Sequence, residues 1–113
     1  MRKDHRLYLD DILGAIGQIR SYTEGYNWAA FESDRKTQDA VIRNLEIIGE
    51  AAGKLPEDIR VTASNVDWRK IVALRNLLVH EYFGVNLAIV WDIIQSKLDP
   101  LGAACRKLLE ISS

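Results

Sequence analysis

The chain has 113 residues, 48% of them apolar and 27% charged, which fits one folded domain and excludes a disordered segment. A formal net charge of −1 excludes a protein that grips nucleic acid through a broad basic surface, so any such role must rest on a local site. One cysteine, Cys105, excludes an internal disulfide framework, and the expected setting is the reducing cytoplasm.

Apolar spacing at helical intervals dominates the chain. The first helix is predicted from Asp4, a good N-cap, to about Tyr22, with Leu9, Ile12, Leu13, Ile16 and Ile19 forming its stripe. Gly25 and Asn27 break it. A second helix starts at Ser33 or Asp34 and carries Val41, Ile42, Leu45, Ile48, Ala52 and Leu55, with Pro56 closing the region. Residues 57–66 are weakly patterned and read as a loop with one helical turn. The third helix runs from near Asp67 to about Tyr82 and ends at Gly84. Asn86 caps a fourth, carrying Ile89, Val90, Ile93, Ile94 and Leu98, which Pro100 should kink or interrupt before residues 101–111 turn helical again. The expected architecture is all-α: one domain over residues 1–113, an antiparallel bundle of four to five helices. Apolar runs fall well short of the ~20 residues of a membrane span. No apolar segment follows Met1-Arg2-Lys3-Asp4-His5-Arg6, so neither a membrane helix nor a signal peptide is expected.

The third helix is the most informative. At roughly 100° per residue, Ile71, Leu74, Leu77 and Leu78 share one arc, expected to face the core. Arg75, Asn76 and His80 fall elsewhere, with Val72 and Val79 among them, so the helix carries apolar residues on two faces. The second face suits self-association. Arg75 and His80 point roughly 140° apart, but their long side chains could meet over a cleft formed with a partner copy. Asn76, one turn before His80, could orient its ring. Histidine exchanges protons near neutrality, and arginine offers a permanent fork matched to phosphate. Together they suit phosphodiester chemistry that needs no metal.

Arg75-Asn-Leu-Leu-Val-His80-Glu-Tyr82 resembles the Arg-x4-His-x-Tyr motif of the HepT-like toxins of the HEPN superfamily. Residues 34–50 and Val85-Asn-Leu-Ala-Ile-Val-Trp91 are similar to the flanking segments of that family. The resemblance implies a HEPN-like bundle that dimerises through the motif helix and acts as a metal-independent endoribonuclease toxin of a type VII toxin–antitoxin pair. It implies a minimal nucleotidyltransferase (MNT-type) antitoxin that transfers AMP onto the motif tyrosine. Carried over, Arg75 and His80 would be catalytic and Tyr82 the AMP acceptor, with RNA as substrate and no cofactor.

Other residues read more plainly. Glu46 and Glu50 are four apart, but no Glu-x-x-His accompanies them and Arg43 favours a salt-bridged face, so no metal site is expected. Asn76, Arg43 and Asn44 are candidates to support the cleft. His5 is expected to be solvated, Cys105 structural, and Trp28, Trp68 and Trp91 core or interface anchors. No Gly-rich phosphate loop occurs. A second reading, favoured by the net acidity, makes the chain a non-catalytic helical partner and substrate of a nucleotidyltransferase.

Overall fold

Five side chains set helix starts by accepting a backbone N–H that the first turn would otherwise leave unpaired. Asp4 accepts from Arg6, Asn27 from Ala30, Asp34 from Thr37, Asp67 from Lys70, and Asn86 from Ala88 and Ile89. The structure, a computed structural model, describes residues 4–80 and 84–112. Among them lie seven helices and no strand: α1 (His5–Thr23), α2 (Trp28–Glu32), α3 (Arg35–Lys54), α4 (Glu57–Thr62), α5 (Trp68–His80), α6 (Leu87–Ser96) and α7 (Leu98–Ser112). Five longer helices and two short ones make the all-α bundle that the periodicity predicts.

The trunk is α1 against α3 and α7. Leu9, Ile12 and Ile19 from α1, Val41, Leu45 and Ile48 from α3, and Leu98, Cys105 and Leu108 from α7 are buried in it. The ends of the trunk are tied together, His5 Nε2 lying 2.8 Å from Ser112 Oγ. His5 is therefore half-buried and bonded, not the solvated residue expected from its position. Arg20 fastens α1 to the neighbouring helices by donating to the Ile94 carbonyl and pairing with Asp99. α5 packs mainly on α3.

Two departures from the expected layout have local causes. α2 falls where only a break was anticipated. Its five residues carry Phe31, fully buried, with ring centroids 5.2 Å from Trp91 and 6.4 Å from Trp28. This aromatic cluster holds a segment too short to be helical on its own. The second departure is the helix break, which lies at Lys97 and not at Pro100. Proline's ring collides with the carbonyl four residues back, here Ser96, so the chain ends α6 there. Pro100 then sits in the first turn of α7, where a missing N–H costs nothing.

Candidate functional site

α5 carries the Arg75–His80 pair, and its packing revises the helical-wheel reading. Trp68 and Leu78 are its buried residues, Ile71 and Leu74 are half-buried, and Leu77 is 47% exposed. α3 covers only part of the arc assigned to the core, which leaves Leu77 outside. The covered sector instead takes in Arg75 and Val72. Both face glycines of α3. Val72 Cγ2 lies 3.6 Å from where a Cβ on Gly53 would stand, an ordinary contact. One turn on, a Cβ on Gly49 would overlap Arg75 Cβ and stand 3.0 Å from both Arg75 Cγ and the Ile71 carbonyl oxygen. The base of the Arg75 side chain thus rests on bare helix backbone.

From that seat Arg75 is half-buried, and its Nη1 donates to Asn76 Oδ1 at 3.2 Å. Asn76 therefore serves Arg75; the expected bond to His80 is not made. Among the described residues no carboxylate pairs with Arg75, and the guanidinium partner found there is a neutral amide. That is the state in which a fork-shaped cation is ready for an incoming phosphate. His80 is exposed in the last described turn of α5. It follows Arg75 by five positions, so the two directions differ by roughly 140° around the helix, and no hydrogen bond among the described residues joins them. Tyr82, the expected AMP acceptor, lies outside the described residues.

The remaining candidates lie on α3. Arg43 is exposed on α3. Asn44 is half-buried and turns its Nδ2 back onto the Ala40 carbonyl at 2.9 Å, a local bond within α3. No hydrogen bond or ion pair among the described residues joins either to Arg75 or His80. Glu50 pairs with Lys54 at 3.4 Å. No group of three or more His, Cys, Asp or Glu side chains among the described residues could hold a metal ion. No described helix is long and apolar enough to cross a membrane.

Beside α5 runs an apolar groove of about 530 Å³, lined among others by Leu45 and Ile48 of α3, Ile71 and Leu74 of α5, and Ile89 and Ile93 of α6. Lys70, Asp67 and Lys97 border it. Leu77 and Val79 are further large apolar side chains left in solvent on α5, and Ile89 of the groove is exposed as well. Sequence reasoning missed Gly49; its one visible signal is the Gly49–Gly53 spacing, which puts two bare positions on one face of a helix.

Comparison with known proteins gives a consistent assignment. The chain matches the ribonuclease HepT-like family over residues 12–108. A candidate RNase of Methanocaldococcus jannaschii is 44% identical over 97 residues, spanning 86% of this chain and 80% of that protein. A ribonuclease HepT candidate of Thermococcus cleftensis is 38% identical over 108 residues, spanning 96% of this chain and 98% of its own. A candidate RNase of Caldanaerobacter subterraneus subsp. tengcongensis is 36% identical over 108 residues and spans 96% of both chains. No solved structure matches. With its motif helix intact at Arg75 and His80 and the match running from the first helix to the last, the chain belongs to the HepT-like ribonuclease family.

Proposed function

We propose that the chain is a metal-independent endoribonuclease toxin that works as a homodimer and is silenced by AMP transfer to Tyr82 from an MNT-type nucleotidyltransferase. The observation that carries the nuclease reading is the Arg75 guanidinium, half-buried and without a carboxylate partner among the described residues, on the same helix as an exposed His80. The family match and the RNase names of its relatives support the same reaction class.

The 2′-hydroxyl that distinguishes RNA is the nucleophile. His80 takes its proton as general base while water protonates the leaving 5′-oxygen, or an already protonated His80 gives the proton to that oxygen as general acid while water takes the one from the 2′-hydroxyl. The 2′-oxygen bonds to phosphorus while the phosphorus–5′-oxygen bond breaks, leaving a cyclic phosphate and a 5′-hydroxyl. Arg75 stabilises the charge that builds on the non-bridging oxygens. Because the pair diverges on one helix, the reading requires two copies of α5 facing each other, the same patch on each. The exposed Leu77 and Val79 give that contact apolar area.

Pure protein incubated with RNA in EDTA tests the reading. Cleavage to cyclic-phosphate ends is expected from the wild type and not from His80→Ala. His80 is exposed, so this variant should lose no more than about 1 kcal/mol of stability. Intact RNA with the wild type, or equal cutting by His80→Ala, would overturn the nuclease assignment. It would leave the second reading, a chain that a nucleotidyltransferase modifies but that cuts nothing.

A further inference from the structure

Gly49 lies on α3, outside the motif, and no catalytic role falls to a glycine by its chemistry. Its environment is nevertheless specific. The α3 backbone at this point is the floor on which Arg75 Cβ and Cγ lie, and a Cβ on Gly49 would overlap Arg75 Cβ and stand as near the Ile71 carbonyl oxygen of α5 as Arg75 Cγ. Gly53, four residues later on the same face, has room for a methyl group against Val72. Two glycines in one helix thus stand under the same partner helix with different clearances. Only at Gly49 would a side chain push α5 away, and the residue pushed is Arg75.

We propose that Gly49 is a positioning residue for Arg75, holding α5 at the one separation from α3 that delivers the guanidinium to its working place. The inference rests on the nuclease reading for its kinetic consequence, but not for its geometry. The Arg75 side chain has two constraints: its base is fixed by contact with Gly49, and its head is steadied by Asn76. A Cβ at position 49 displaces the base, and neither the Asn76 bond nor side-chain rotation restores it, because the overlap begins at Arg75 Cβ. A misplacement of about 1 Å at a catalytic group can lower turnover about 100-fold. Position 53 carries no such constraint, so a methyl group there leaves Arg75 where it is.

Gly49→Ala and Gly53→Ala, each with its folded fraction fixed by circular dichroism, separate positioning from mere stability. The expected result with an RNA substrate is a kcat about 100-fold lower for folded Gly49→Ala with KM little changed, and wild-type kcat for Gly53→Ala. A purely structural glycine would lower the melting temperature of Gly49→Ala but leave the kcat of its folded fraction at the wild-type value, and that outcome overturns the proposal. A second readout needs no activity. The Arg75 Nε–Hε cross-peak in a 1H–15N spectrum should shift in Gly49→Ala and stay in place in Gly53→Ala; an unmoved peak in both overturns the proposal even if the chain cuts no RNA. Should Gly49→Ala fail to fold, wild-type protein decides through a nuclear Overhauser effect between Gly49 Hα and Arg75 Hβ, whose absence is equally fatal.

Discussion

In Arg75 a packing role and the proposed chemical one share a single side chain. Its Cβ and Cγ fill the space that Gly49 leaves open, while its guanidinium, bonded to Asn76, has no carboxylate partner among the described residues. The residue type was legible, since only arginine combines a permanent charge with a phosphate-shaped fork. Its inward placement was not, because a helical wheel assigns long polar residues to solvent without knowing where the neighbouring helix offers bare backbone. The same reasoning bears on Tyr82. AMP on its phenol would add a phosphate to the motif, an anion of the kind the Arg75 guanidinium is proposed to bind. That anion would compete with the RNA phosphate. In protein co-expressed with a partner nucleotidyltransferase, mass spectrometry should find Tyr82 heavier by one AMP and RNA cleavage lost. Full inhibition with Tyr82 unmodified would show that the partner acts by covering the cleft.

At the scale of elements, helix starts were the most legible feature, because a capping side chain acts within three residues of itself. Asp34 is the strongest example. It accepts from the Tyr26 hydroxyl at 2.6 Å, from the Thr37 hydroxyl at 2.7 Å and from the Thr37 N–H at 3.1 Å. These bonds, the tyrosine's first, hold its carboxyl at about 2, against an ordinary 3.8. The folded carboxyl releases its proton more readily than the unfolded one, so its contribution is fully present above the ordinary value and is lost as pH falls toward 2. Denaturant melts at pH 5 and pH 2.5 should show this loss in the wild type and a smaller one in Asp34→Ala; equal losses would mean that α3 does not depend on this cap. Helix ends were less legible. Pro100 correctly signals a break, but the break sits upstream because proline's clash acts on the carbonyl four residues before it. α2 was invisible for a different reason. Its five residues are held by Trp91, sixty residues beyond Phe31, and no local pattern reports so distant a contact.

At the scale of the whole molecule, the fold is a well-packed trunk of α1, α3 and α7 with α5 laid against one side of it. That asymmetry leaves the groove beside α5 open and Leu77 and Val79 in solvent. A second copy set against α5 would remove this apolar surface from water and bring two diverging Arg75–His80 pairs into one cleft. Light scattering at micromolar concentration should therefore give twice the mass of one chain, and Leu77→Glu, which places a charge on the exposed face without touching the trunk, should shift it toward one. A wild-type mass of one chain would rule this arrangement out. Inside the trunk, Cys105 has no exposed surface, and burial pushes its thiol up to about 12. In the native state it is both out of reach of a modifying reagent and protonated when it would need to be an anion. Its alkylation must therefore wait for α7 to lift from α1, which makes this single sulfur a clock for how often the trunk opens.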